Sequence, residues 1–176
     1  MTKYVALLRG INLGTNNRIA MADLRELLSG LGYTDVKTLL QSGNAVFAAP
    51  GRSPEQIASA IENAIAERFG LKIPTLVRTA DELRAVVEQN TMEIRDPKKF
   101  LVLFLNEAPA KDLMDSIDPT PFLPEEMIAG EREIYVYHPN GLQNAKLVAH
   151  LGKRLAMPTT GRNWNTVLKL LALAEG

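Results

Sequence analysis

Two short apolar runs, residues 4–8 and 100–105, are not interrupted by any polar residue. A continuous run of that length, bounded by turn residues, reads as a strand buried on both faces. The first run ends abruptly in Arg9-Gly10-Ile11-Asn12-Leu13-Gly14, which places a cation and an amide where a central strand leaves its sheet.

Between the two runs the periodicity changes several times. After a Gly/Asn-rich loop over 11–20, Met21, Leu24, Leu27, Leu28 and Leu31 fall on one face of a helix that Gly30 and Gly32 stop. Residues 36–41 and 44–48 read as strands about the tight turn Gln41-Ser42-Gly43-Asn44. Ser53-Pro54-Glu55-Gln56 is a capping box with proline at the first helical position. Ile57, Ile61, Ile65 and Phe69 then recur every four residues up to Gly70. A strand over 73–78 carries Pro74, which assigns it to a sheet edge. Thr79-Ala80-Asp81-Glu82 is a second capping box, opening a helix through Leu83, Val86 and Val87.

A polar stretch around residues 93–98 marks a connector. Beyond it come the strand over 100–105, a short helix over 109–117, and strands over 125–129 and 133–137. The turn 138–141, a helix over 144–155 and an extended piece over 157–161 follow. The last helix, over 163–173, is expected to turn Trp164, Val167, Leu168 and Leu171 inward. Each half thus reads β-α-β-β-α-β-α, and the β-α-β-β-α-β part is the ferredoxin-like order. The expected fold is α+β: two ferredoxin-like subdomains, residues 1–92 and 99–176, each with an added helix. They form an internal duplication of architecture without evident sequence repetition.

This order predicts where polar residues meet. The first strand of such a sheet ends beside the turn joining strands two and three. Arg9, Gly10 and Asn12 should therefore lie next to Gln41, Ser42, Gly43 and Asn44. In the second half Asn106-Glu107-Ala108 replaces the Arg-Gly-x-Asn pattern. There the polar residues gather at the opposite end of the sheet. Lys146 at a helix start and Arg162, Asn163 and Trp164 after the last strand are expected to be neighbours.

Composition narrows the chemistry. Of 176 residues 46% are apolar, enough for a packed core, and 20 Lys+Arg balance 20 Asp+Glu. Zero net charge supplies no general attraction to nucleic acid or membranes, although a local basic patch remains open. With no cysteine there is no disulfide, no thiolate metal site and no cysteine nucleophile. Two distant histidines, His138 and His150, give no metal-ligand spacing. The N-terminus shows no signal-peptide pattern, and no apolar stretch reaches the roughly 20 residues of a membrane span. The expectation is a cytoplasmic protein without metal, cofactor or membrane partner, of undetermined oligomeric state.

Candidate ligand-binding residues are Arg9, Gly10, Asn12, Gln41, Ser42, Gly43, Asn44, Lys146, Arg162, Asn163 and Trp164. Glycines 10, 14 and 43 either admit turns of positive φ or bring backbone N–H groups to an anion. They match neither the Walker A nor the dinucleotide spacing. Arg9 can grip a carboxylate or phosphate, or hold a loop by an internal ion pair. Cations at helix N-termini, as at Lys146 and Arg162, oppose the helix dipole unless an anion or acidic group sits there. Asn163 is a natural N-cap, and Trp164 belongs to a core or stacks on a ring. Ser42 has no histidine at readable distance, and Glu131 and Glu133 lack a second carboxylate, so no catalytic residue is named.

The motifs Leu7-Leu8-Arg9-Gly10-Ile11-Asn12, Met21-x-x-Leu24-Arg25-x-Leu27-Leu28, Gln41-Ser42-Gly43-Asn44 and Arg162-Asn163-Trp164-Asn165-Thr166-Val167 resemble the signatures of the "domain of unknown function 1697" family. The resemblance runs from near Tyr4 to near Leu171. It implies an α+β fold containing a duplication and brings no catalytic residue with it. Two departures stand out. Thr15 occupies a position where the family often has a second glycine, and Ala145-Lys146-Leu147 replaces a Ser-Lys-Leu motif.

Three functions fit these residues. The first is binding of a small phosphate- or carboxylate-bearing ligand through the Arg/Lys/Asn-rich loops. The second, less favoured, is single-stranded nucleic-acid binding, for which Tyr4 and Phe47 are the aromatics available on the first sheet. The third is a transferase-type enzyme in which Lys146 and Arg162 stabilise developing charge.

Overall fold

The computed structural model describes residues 1–176. Two compact units are present, residues 1–85 with 169–176, and residues 86–168. The first unit is built from β1 (Thr2–Leu8), α1 (Met21–Gly30), β2 (Thr34–Leu39), β3 (Asn44–Ala49), α2 (Pro54–Phe69) and β4 (Thr75–Thr79), followed by α3 (Ala80–Glu88). The second holds β5 (Phe100–Leu105), α4 (Lys111–Asp115), β6 (Glu126–Ala129), β7 (Glu133–Tyr137), α5 (Lys146–Arg154) and β8 (Thr159–Asn163), followed by α6 (Trp164–Glu175). The unit boundaries fall inside α3 and α6, and the 93–98 segment lies within the second unit.

Both sheets are four-stranded and antiparallel, in the orders β2-β3-β1-β4 and β6-β7-β5-β8. These are the ferredoxin-like order, with the two apolar runs as central strands. In the first sheet Val5 pairs with Val46 on one side and Arg78 on the other. In the second, Val102 pairs with Tyr135 and Arg162. Residues 4–8 and 100–105 are buried on both faces, as their unbroken hydrophobicity requires.

The helices dock by the faces their periodicity sets. Ile57, Ile61 and Ile65 of α2 are fully buried with Leu24 and Leu28 of α1 against Tyr4, Ala6, Leu8 and Phe47. Each such side chain contributes about 1.5–3 kcal/mol of transfer free energy. In the second unit Leu147 and Leu151 of α5 cover Leu101, Leu103, Ile134 and Val136. Both capping boxes form. Ser53 accepts from the Gln56 N–H at 3.1 Å, and Thr79 accepts from the Glu82 N–H at 3.1 Å. Gly70 closes α2 in the left-handed conformation, and Pro74 directly precedes an edge strand.

Two local expectations change. Strand β2 begins and ends two residues earlier than its apolar pattern suggested, because Leu40 takes a left-handed φ of 60° and starts the turn. On α6, Leu168 is 41% exposed, while Trp164, Val167, Leu170 and Ala174 are buried. Only Lys169 interrupts residues 167–174, so the sequence there carries no polar stripe to fix the buried face.

Candidate functional site

The end of the first sheet is assembled by side-chain amides. Asn12, in a left-handed turn at φ 56°, donates from Nδ2 to the carbonyls of Ile19 (2.8 Å) and Gln41 (2.7 Å). Its Oδ1 accepts from the Ile19 N–H at 2.9 Å. One side chain thus closes the β1–α1 loop on itself and joins it to the β2–β3 turn. Asn44 does the same work within that turn. It is fully buried, and Nδ2 donates to the Leu39 carbonyl at 2.8 Å and to Ser42 Oγ at 3.1 Å.

Gly43 completes the junction. Its N–Cα geometry has φ +96°, and a Cβ there would lie 2.8 Å from Leu8 Cβ and 2.9 Å from Ile11 Cδ1. Its carbonyl accepts from the Leu8 N–H at 2.9 Å. The expected meeting of Arg9, Gly10 and Asn12 with Gln41, Ser42, Gly43 and Asn44 is therefore present. The roles divide in a way the sequence did not show. Asn12, Gly43 and Asn44 build the junction, and their polar groups are committed to it. The side chains of Arg9 and Gln41 are exposed.

Beside this junction lies an open cleft of about 330 Å³, lined by Asn12, Arg18, Ile19, Ala20, Met21 and Gln41. Arg18 leans along the loop, its Nη1 donating to the Gly14 carbonyl at 2.8 Å. Ala20 is the N-cap of α1 and offers no side-chain oxygen to the helix; the first helical bond is Leu24 N–H to the Ala20 carbonyl at 3.0 Å. The N–H groups of the first turn have no acceptors within a helix, so this end of α1 carries the positive pole of its dipole to the cleft wall. Asp23 in the same turn is engaged by Arg68, 3.7 Å away. Residues 9–20 and 38–44 contain two arginines and no acid, in a chain with zero net charge.

Neither Arg18 nor Ala20 belongs to a motif, and Met21 enters the sequence patterns only through the apolar face of α1 and the Met21-x-x-Leu24 motif. The legible signal was a helix start without a capping side chain, immediately after a cation.

The second unit is arranged differently. Lys146 is exposed at the start of α5, where Ala145 gives no side-chain cap. The cap comes from 22 residues away instead: the buried Glu125 accepts the Leu147 N–H at 3.2 Å through Oε1. That carboxylate, next to β6, is the acidic neighbour a cation at a helix N-terminus calls for. Arg162 lies on β8 at the other edge of the sheet, with β7 and β5 between. The group the structure shows at the start of α5 is Glu125.

Arg162 is 9% exposed, and its Nη1 donates to the Gly161 carbonyl at 2.9 Å. Burial pulls its guanidinium down to about 10. Asn163 caps α6, its Oδ1 accepting the Thr166 N–H at 2.9 Å. Trp164 is buried edge-on to Phe100 with ring centres 5.3 Å apart, a core position. Next to Glu125 stands His138, 3% exposed, with neither ring nitrogen hydrogen-bonded. Burial holds its pKa below the ordinary histidine value; the Glu125 charge opposes that shift, and Lys99 adds to it. The aromatics of the first sheet, Tyr4 and Phe47, are buried beneath the helices and are not available to stack on bases.

Fold and site together define an α+β protein of two ferredoxin-like sheets with a basic loop junction at one end of the first. The chain belongs to the family described as "Protein of unknown function (DUF1697)", whose profile matches residues 1–135. Among solved structures it is similar to the conserved bacterial protein SP0830 from Streptococcus pneumoniae. The two are 23% identical, with a TM-score of 0.73 over 98% of each chain. That likeness is one of fold. No curated protein matches the sequence.

Proposed function

We propose that this protein binds a small anionic ligand, bearing a phosphate or carboxylate, at the end of the first sheet. The observation that carries the reading is the cleft lined by Arg18, Gln41 and the uncapped start of α1, whose lining holds a cation and no acid. An anion there accepts hydrogen bonds from first-turn N–H groups and is attracted by Arg18 and Arg9. The junction made by Asn12, Gly43 and Asn44 keeps the two loops in one arrangement, which lowers the ordering cost of binding. The scarcity of acids and bases in the cleft favours binding over turnover.

The finer readings go with this one. The shared strand order of the two sheets supports an internal duplication. The cysteine-free sequence agrees with a cytoplasmic setting, and no helix is long and apolar enough to cross a membrane.

A thermal-shift screen against inorganic phosphate, sugar phosphates, nucleotides and dicarboxylates tests the proposal. A ligand at a hundredfold excess over Kd adds about 2.7 kcal/mol. For a chain of this size that is a rise in Tm of roughly 5–10 °C. The rise should vanish in Arg18→Ala and shrink in Arg9→Ala. A flat screen, or a hit indifferent to both changes, refutes it.

A further inference from the structure

His138 is 3% exposed, and neither Nδ1 nor Nε2 makes a hydrogen bond. Buried polar nitrogens are nearly always partnered, so an imidazole bare on both sides is exceptional. Its place in the second sheet shows what surrounds it. Glu126 pairs with Tyr137 across β6 and β7, and Phe100 pairs with Tyr137 across β5 and β7. One step further along both registers, Glu125 and Lys99 flank His138 on either side. The His138 N–H donates to the Lys99 carbonyl at 2.9 Å, which continues the second pairing. Residues directly opposite on neighbouring strands share a face, with Cβ atoms about 5 Å apart. The row Glu125–His138–Lys99 therefore crosses the sheet on the face of Val136, the one that Leu147 of α5 covers.

The charged groups around the ring are few. Glu125 is buried, and its Oε1 accepts the Leu147 N–H at 3.2 Å. Lys99 is half-buried, while Lys98 and Lys146 are exposed. His150 of α5 lies against the Phe122 ring, centres 5.0 Å apart. Glu126 is taken by Arg95 at 2.6 Å, and Asp96 accepts the Lys98 N–H at 3.0 Å. Glu125 is the anion whose charge acts on the imidazole.

We infer that Glu125 and His138 form an acid-responsive latch on the start of α5. With His138 neutral, Glu125 caps the helix. When His138 takes up a proton from solvent, both ring nitrogens become donors. Glu125, its cross-strand neighbour, turns to the imidazolium and accepts a charge-assisted hydrogen bond. The Leu147 N–H loses its acceptor. Ala145 has no capping side chain to replace it, so the first turn of α5 loosens. Burial, with Lys99 adding to it, favours the neutral ring, so the latch opens only below the ordinary histidine value of about 6.5.

The test is NMR of the full chain, titrated from about pH 7.5 to about pH 4.5. It follows the His138 ring signals together with exchange of the Leu147 amide with water, corrected for the intrinsic pH dependence of exchange. Protection of Leu147 should fall roughly fivefold, the worth of a helix cap, with the midpoint of the His138 ring. Amides of β5 and β7 should stay protected. His138→Gln should remove the transition. Glu125→Gln keeps an acceptor for Leu147 and removes the charge, so it should hold α5 shut throughout and lower the His138 midpoint. Unchanged Leu147 protection while the ring titrates overturns the latch. The same transition in His138→Gln overturns it too, because Glu125 would then be answering to its own protonation. Joint loss of protection in β5, β7 and α5 also overturns it, as unfolding of the whole unit.

Discussion

Asn12 reaches across from the loop after β1 and donates to the main-chain carbonyl of Gln41 at 2.7 Å. With its two bonds to Ile19, this single amide ties the β1–α1 loop to the β2–β3 turn. Asn12→Ala should lower stability by about 1–3 kcal/mol in chemical denaturation. Asn12→Asp should cost at least as much, because it sets a carboxylate against two carbonyl oxygens that now receive a donor. A near-isosteric change that proves harmless would show that the junction does not depend on those bonds.

The two positive-φ glycines at this end answer to different constraints. Gly10, at φ +71°, has open space where a Cβ would point, whereas at Gly43 the space is filled by Leu8 and Ile11. Gly10→Ala should cost about 1–2 kcal/mol, the left-handed strain alone. Gly43→Ala adds overpacking of about 1–3 kcal/mol to that strain. Equal losses in the two variants, measured by urea denaturation, would contradict the close approach.

His138 makes the second unit sensitive to acid. Its neutral form is favoured when folded, so its folded pKa lies below the unfolded value near 6.5. Below that value the unfolded chain binds more protons than the folded one, and stability falls as the pH drops further through the folded pKa. Above about pH 7.5 the residue contributes no pH dependence. His138→Gln should flatten the acid limb of the stability profile below about pH 6.5. An unchanged slope in that window would assign the acid sensitivity elsewhere.

Tyr135 donates its hydroxyl to the Val86 carbonyl at 2.6 Å in a buried setting, and burial pushes its pKa up to about 12. Tyr135→Phe leaves that carbonyl without its donor and should cost about 1–3 kcal/mol. A neutral substitution in thermal and chemical unfolding would mean that another donor takes its place.

Much of the fold was written in periodicity. The runs at 4–8 and 100–105 read as doubly buried central strands, and Ser53-Pro54-x-Gln56 and Thr79-x-x-Glu82 mark helix starts by local chemistry. The order of elements then brought Arg9 and Asn12 to Gln41 and Asn44. What the sequence withheld depends on distance along the chain. Nothing local tells that Asn12 and Asn44 spend their amides on the junction rather than on a ligand. Glu125 caps α5 across 22 residues, a contact that no local pattern announces. Leu168 lies in a stretch apolar on every side, where only packing chooses the face.

The most direct test of the account is amide chemical-shift mapping by NMR as methyl phosphate is titrated into the protein. The account predicts saturable shifts at Gly10, Gly14, Arg18, Met21, Ala22 and Gln41, absent from Arg18→Ala. Shifts centred instead on Lys146 and the start of α5, or no saturable shift with methyl phosphate or with acetate titrated in the same way, would contradict it.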